Sequence, residues 1–234
     1  MSADGKTIAV AGQGSFIWVS KDGGMTWGSK ASSDYWSSVA VSRDGSAVAA
    51  VGRPGPMASV DGGSTWTAVP VSADSTWVDT WHTAWASSDG NRLMMASSDG
   101  VLAVSLNRGM TWSKVETSFA YDSSSMGASD DGKTIVVGLG SHGIQISSDA
   151  GKTWVAHSAW FTLNLWVSPD AKRIVRGSGA DGRPEYSLDG GNTWVEDSGI
   201  DSGTWRVSAN VDGSTLIAAG YSGTVWVGHF GYAP

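Results

Sequence analysis

The groups that could do acid–base, metal or nucleophilic chemistry are 22 carboxylates, of which only Glu116, Glu185 and Glu196 are glutamates, four histidines, and no cysteine. Hydrolysis of a glycosidic bond needs two carboxylates about 5–10 Å apart across the scissile bond. The supply of acids is ample, but none stands where the sequence marks it as sitting in a pocket. His82, His142, His157 and His229 have no metal-ligand spacing, and no Asp-x-Asp-x-Asp-Gly calcium loop occurs. Serines abound, yet none lies in a Gly-x-Ser-x-Gly elbow with a matching histidine and acid. Gly12-Gln13-Gly14 is a turn rather than a phosphate loop, because no helix follows it. The expectation is therefore no metal, no cofactor and no catalytic set.

The chain is instead rich in groups that bind without reacting: 14 Trp, 5 Tyr and 4 Phe. Aromatic plates interleaved with carboxylates suit sugars, whose C–H faces stack on rings while their hydroxyls take paired hydrogen bonds. The binding set expected from the sequence is Tyr35, Arg53, Trp77, Asp79, Trp81, Tyr121, His142, Trp160, Arg183 and Glu185. A pI near 4.9 and a net charge of −7, with 15 scattered Lys and Arg, argue against a nucleic-acid or anionic-membrane partner. No run approaches the ~20 apolar residues of a membrane-spanning helix. The start, Met1-Ser2-Ala3-Asp4-Gly5, lacks the apolar core of a signal peptide, so a soluble chain is expected.

What positions those residues is a repeat. Ser-x-Asp/Asn-x-Gly-x-Thr-Trp occurs at Ser20–Trp27, Ser59–Trp66, Ser105–Trp112, Ser147–Trp154 and Ser187–Trp194, with Asn107 the one departure from Asp. A second turn, rich in Ser and Asn, centres on Asp4, Asp44, Asp89, Asp131, Asp170 and Asp212. From turn Asp to box Ser the interval is 16, 15, 16, 16 and 17 residues, so one module of about 42 residues is repeated. Within it, short β-branched and small apolar runs such as Thr7–Ala11 and Thr134–Val137 alternate with Gly, Asp and Ser, and no helical period appears. Each unit reads as four antiparallel strands: a before the Asp-Gly turn, b after it, c before the box and d from the box Trp. That is a propeller blade.

The eight-residue box resembles the Asp-box, or BNR repeat, of sialidase-like β-propellers. The resemblance implies that the box is the tight turn between strands c and d, and it carries no activity of its own. A sialidase of that family would need three clustered arginines and a Tyr with a partner Glu. Only Arg53 and Arg183 fall on b–c loops here, and the adjacent Glu185 and Tyr186 point to opposite sides of a strand. The fold expected is all-β: one propeller domain over residues 1–234, with six blades favoured and five left open. The first unit lacks strand a and the last lacks strand d, which gives 22 strands (3 + 16 + 3).

Strand direction then sorts the loops. The a–b and c–d turns share one edge of each sheet, where backbone geometry dictates the sequence; b–c and d–a loops share the other. From box Ser to the next turn Asp the interval varies as 24, 30, 26, 23 and 25, so length variation collects in the d–a segments, where recognition is usually placed. Trp36, Trp81 and Trp205 stand seven or eight residues before a turn Asp and read chiefly as packing residues of strand a, whereas Tyr35, Trp77, Tyr121 and Trp160 recur at no fixed phase. The b–c loops add Asp99 and Asp181 to the Arg53, His142, Arg183 and Glu185 already named, and Pro70–Trp85 is the longest insertion. The leading expectation is a non-catalytic, lectin-like carbohydrate binder, with a protein-interaction scaffold as the alternative and a glycoside hydrolase as the second.

Overall fold

The structure is a computed structural model that describes residues 1–70, 81–117, 125–157, 161–178, 182–210 and 213–229. All its strands are antiparallel neighbours in chain order, in six sheets. Sheet I holds β1 (Ile8–Val10), β2 (Ser15–Ser20) and β3 (Gly28–Asp34); sheet II holds β4 (Trp36–Val41), β5 (Val48–Gly52), β6 (Met57–Ser59) and β7 (Thr67–Ala68). Sheet III holds β8 (Trp81–Ala86), β9 (Leu93–Ser97), β10 (Val101–Ser105) and β11 (Ser113–Glu116). Sheet IV comprises β12 (Ser125–Ala128), β13 (Ile135–Gly138), β14 (Ile144–Ser147) and β15 (Val155–His157), and sheet V β16 (Thr162–Val167), β17 (Ile174–Ser178), β18 (Glu185–Ser187) and β19 (Val195–Glu196). Sheet VI is β20 (Trp205–Ala209), β21 (Thr215–Gly220) and β22 (Val225–His229). These 22 strands among the described residues are the blades read from the repeat, with strand a absent from sheet I and strand d from sheet VI. The chain divides into two compact units, Met1–Asp122 with sheets I–III and Ser123–Pro234 with sheets IV–VI.

Within each unit, strand a of one sheet rests on strands a and b of the sheet before it: β8 on β4 and β5, β16 on β12 and β13, β20 on β16 and β17. A strand b sandwiched this way is covered on both sides. β5 and β17, each lying between two sheets of its own unit, are buried at every residue, which is why these strands read as continuous apolar runs instead of alternating. The alternate residues divide between neighbours. Ile174 packs toward sheet IV with Val136 and Ile146, while Val175 packs toward sheet VI with Val207 and Leu216. Polar groups stitch the same contact: Asn164 donates through Nδ2 to the Val207 carbonyl (2.6 Å) and accepts the Val207 N–H (2.9 Å). It thereby acts as a short piece of extra strand.

The two turns are built from the same economy. In the box, the Ser20 hydroxyl accepts the Gly24 N–H (2.8 Å) and donates to Asp22 (2.8 Å); Asp22 in turn accepts the Thr26 N–H (2.9 Å) and its hydroxyl. The Trp27 indole N–H closes the loop on the Gly24 carbonyl (2.9 Å). The pattern recurs around Ser59, Ser147 and Ser187. With the neutral Asn107 the serine contact lengthens to 3.1 Å and the amide donates to Thr111 (2.7 Å), as expected when a carboxylate's charge-assisted bonds are lost. In the a–b turn, Ser42 donates to Asp44 (2.5 Å) and accepts the Ala47 N–H (2.9 Å); in sheet VI Asn210 takes the serine's place, accepting the Thr215 N–H (2.8 Å). Box and a–b turn are tied in each complete blade by one backbone bond, such as Gly62 N–H to the Ser46 carbonyl (2.7 Å) and Ala150 N–H to the Lys133 carbonyl (2.8 Å).

That bond requires the residue three beyond the box serine to turn left-handed: φ is 74° at Gly23, 66° at Gly62 and 74° at Gly190, but also 64° at Arg108 and 61° at Ala150. Left-handed backbone costs an L-residue about 1–2 kcal/mol that glycine does not incur, partly offset by glycine's freer unfolded chain. Ala150→Gly should therefore stabilise the protein by up to about 1 kcal/mol, read as a raised urea midpoint at unchanged m-value. A midpoint equal to or below wild type contradicts the strain at Ala150.

Candidate functional site

The recurrent aspartates of the turn edge are the most numerous candidates for chemistry, and their bonds consume them. At Asp22, Asp149 and Asp189 the neighbouring Thr hydroxyl, then the Thr N–H, hold the carboxyl down at about 2, and the Thr65 hydroxyl holds Asp61 well below the usual carboxylate range. In the a–b turns Ser2, Ser129 and Ser168 lower Asp4, Asp131 and Asp170. At Asp44 and Asp89 burial pushes upward, but the serine and backbone donors outweigh it and the carboxyls still end low. Groups fixed as anions by their own turn cannot donate a proton near neutral pH. Among the described residues no group of three His, Cys, Asp or Glu side chains could hold a metal ion.

The opposite edge is built differently. In sheet II the b–c turn leaves β5 at Gly52, and the Arg53 N–H donates to the Tyr35 carbonyl (2.8 Å), closing the d–a segment against the turn. Two of the expected binding residues, Tyr35 (52% exposed) and the exposed Arg53, are thus brought side by side on the loop edge. His142 is exposed in the b–c turn of sheet IV, its Nδ1 3.2 Å from the Ser141 hydroxyl. Arg183 lies beside sheet V and pairs with Glu196 (3.0 Å).

Two expectations are corrected. Trp81 is 5% exposed and packs with Leu93, Met95 and Val101, so its ring belongs to the core of sheet III; its phase-mates Trp36 (2%) and Trp205 (6%) are buried likewise. Glu185 is committed to the fold: its Oε2 accepts from Nε of the fully buried Arg176 at 2.8 Å and lies 2.7 Å from a second guanidinium nitrogen. It is the counter-ion that lets a guanidinium stand inside strand b. Trp77, Asp79, Tyr121 and Trp160 lie outside the described residues, as do Asp181 and most of the Pro70–Trp85 insertion.

The arrangement at Tyr35 and Arg53 recurs at sheet VI and opens there into a cleft of about 410 Å³. Trp205 pairs with Gly220 as Trp36 pairs with Gly52, and the Tyr221 N–H donates to the Thr204 carbonyl (3.1 Å) in place of the Arg53–Tyr35 bond. The Trp205 indole N–H donates to the Asp201 carbonyl (2.9 Å) and its ring lies against Gly220, where a Cβ would come within 3.1 Å of it. Glycine there is what lets the ring form the cleft floor. Tyr221, 94% exposed, stands on the rim; Asp201, Ser202, Thr204, Ser222 and Thr224 line the remainder with Trp226. Sequence reasoning passed over Tyr221 and Trp226. The available signal was Tyr221 itself, an aromatic at the b–c turn position held by Arg53 in sheet II and Ser98 in sheet III.

No protein-family model matches the chain, and no curated protein matches it. Among solved structures it is similar to an ancestral GH74 enzyme, with TM-score 0.73 and 14% identity over 97% of this chain and 35% of that one. It is similar also to the β-propeller domain of Cps50 (Swd1) from Myceliophteria thermophila (TM-score 0.72, 10% identity, 100% of this chain and 83% of that one). A third similar structure is YCF48 from Cyanidioschyzon merolae (TM-score 0.56, 16% identity, 97% and 92%). The chain spans about a third of the length of the GH74 enzyme.

Two outcomes follow from the site geometry. Carboxyls lowered from 3.8 to about 2 on folding lend stability that is complete above their unfolded value and drains as pH falls toward the folded one. Urea midpoints should hold from neutrality to about pH 4 and drop between about pH 4 and pH 2, with the drop shrinking as Asp22, Asp149 and Asp189 are changed to Asn. A flat profile down to pH 2 contradicts the turn assignment. Glu185→Ala should cost about 3–5 kcal/mol of stability by stranding Arg176, and the double change Arg176→Met/Glu185→Leu should recover most of it. A neutral single variant would return Glu185 to the candidate site. The likeness to the solved structures, at these identities, establishes the fold: a β-propeller of antiparallel blades, about six of them among the described residues.

Proposed function

We propose that residues 1–234 form a non-catalytic binding propeller that takes carbohydrate on its b–c and d–a loop edges. The observation that carries this reading is the cleft at sheet VI. A buried indole floor, an exposed tyrosine rim and four hydroxyl side chains around one carboxylate make up its polar and aromatic lining. The exposed Tyr221 ring offers a plate for a sugar's C–H face and the hydroxyls with Asp201 offer paired hydrogen bonds, while the buried Trp205 only closes the floor. Asp201 is the single carboxylate among the lining residues, which supports binding over the two-acid chemistry of a hydrolase. Tyr35, Arg53, His142 and Arg183 supply further contacts at the loop edges of sheets II, IV and V, and Trp77, Asp79, Tyr121 and Trp160 belong to the same proposed set.

A second reading, a protein-interaction scaffold, is favoured by one feature: the exposed Tyr35 beside Arg53, two residue types that dominate protein-binding hot spots. A glycan array separates the two. The carbohydrate reading expects defined glycan hits that weaken about tenfold or more in Tyr221→Ala and Asp201→Asn. Stability should change by less than about 0.5 kcal/mol, since both side chains are exposed. Combined loss of Trp77, Tyr121 and Trp160 tests the remaining set. An array without hits, or hits untouched by Tyr221→Ala, removes the sheet VI cleft as a sugar site.

A further inference from the structure

The chain carries ten Asp-Gly pairs, a dipeptide with a reaction of its own. The glycine amide nitrogen can attack the aspartate side-chain carboxyl: a C–N bond forms, a C–O bond breaks, one water leaves and a succinimide ring results. Water then reopens the ring at either carbonyl. Opening at the former main-chain carbonyl leaves the chain running through the β-carboxyl, as isoaspartate. The net change is an isomerisation at constant mass that needs no oxidant, enzyme or cofactor. Glycine favours it because no side chain shields its nitrogen. Attack requires a carboxyl free to swing and lose oxygen, and an amide N–H free to give up its proton.

Seven of the pairs are barred on both counts, by groups of their own blade. The Asp4, Asp44, Asp89 and Asp131 carboxylates each accept from the serine two residues before and from the N–H two residues after, at 2.5–3.0 Å. Asp22, Asp61 and Asp189 each accept a serine hydroxyl at 2.8 Å, and both the N–H and the hydroxyl of the threonine four residues on. In all seven pairs the glycine N–H donates to a carbonyl of the same blade at 2.7–3.1 Å. Each charge-assisted bond that must break before attack slows the step by about tenfold or more. Asp22 and Asp189, held down at about 2, are also short of the acid form that loses water.

Asp99-Gly100 is different. It sits in the b–c turn of sheet III, where the Ser97 hydroxyl accepts the Val101 N–H (3.2 Å) instead of serving an aspartate. Asp99 is exposed, and no group among the described residues donates to its carboxylate. The Gly100 N–H reaches the Ser97 carbonyl only at 3.4 Å, past the ordinary range. In the remaining pairs, Asp181 and Asp212 lie outside the described residues. We propose that Asp99-Gly100 is a site of spontaneous isoaspartate formation in the folded protein, and that the change remodels the loop edge of sheet III. The Gly100 carbonyl accepts both the N–H and the hydroxyl of Thr117 (2.8 and 2.7 Å), which tie this turn to the start of the d–a segment. Isoaspartate adds a methylene to the main chain one residue before that carbonyl and leaves a free carboxylate beside it, so the tie loosens as the protein ages. This holds whatever the loop edge binds.

The test is incubation of the full chain at body temperature and neutral pH, sampled at intervals by proteolysis and electron-transfer fragmentation, which tells isoaspartate from aspartate at each pair. The proposal expects isoaspartate at Asp99 to exceed that at Asp22, Asp44 and Asp61 by about tenfold or more. In urea, where the turns are lost, the four sites should isomerise at similar rates. Asp99→Glu, aged in parallel, keeps the charge but cannot close the succinimide ring. Hydrogen exchange at the Thr117 amide should therefore quicken with age in wild type and stay constant in this variant. An Asp99 that isomerises in the folded chain no faster than Asp22, Asp44 and Asp61 overturns the proposal, as does Thr117 exchange that ages alike in wild type and Asp99→Glu.

Discussion

A strand b clad on both sides by neighbouring sheets is the constraint from which the remainder follows. A short antiparallel blade of two- to seven-residue strands cannot bury enough apolar surface alone, and repeat architectures meet this by stacking units. Val175 and Ile174 show the division of labour: adjacent residues of one strand serve two different interfaces. Where both faces of a strand are packed, as in β5 and β17, the sheet itself offers no surface, which is why the proposed function looks to the sheet ends.

The two ends then differ for a physical reason. On the turn edge, four strands have to be reversed within few residues, and the serine–aspartate pairs do so by saturating backbone N–H groups with side-chain oxygens. The identical demand in each blade leaves one sequence solution, and the bonds that satisfy it hold the carboxylates as anions with no capacity left for acid–base work. On the loop edge the backbone is secured by a few backbone bonds between turn and d–a segment, such as Arg53 to Tyr35 and Tyr221 to Thr204. Side chains beyond those bonds are unconstrained by the fold, so residue type there can answer to a ligand.

This contrast also explains what was legible in the sequence. The strands, their meander and the box turns were readable because the same local demand is written five or six times over, so that even Asn107 and the serine-like Asn210 stand out as variations on it. The recurrence of Trp36, Trp81 and Trp205 before the a–b turn correctly marked them as packing residues, against the assignment of Trp81 to the ligand set. Arg176 and Glu185 were not legible as a pair, since a buried guanidinium inside strand b has no sequence signature. Tyr221 was not legible as a site residue because its cleft arises from a short turn over a tryptophan that lies against Gly220, with no insertion to mark it.

The central claim is that the edges of the blades divide the work, geometry at the turn edge and recognition at the loop edge. Hydrogen exchange of the chain with and without a bound glycan tests it most directly. The account predicts that added protection centres on residues 199–205 and 220–226 and on other b–c and d–a segments, leaving the amides of Ser20–Trp27 and its four counterparts unchanged. Protection concentrated in those five box turns, with the cleft of sheet VI unaffected, would contradict it.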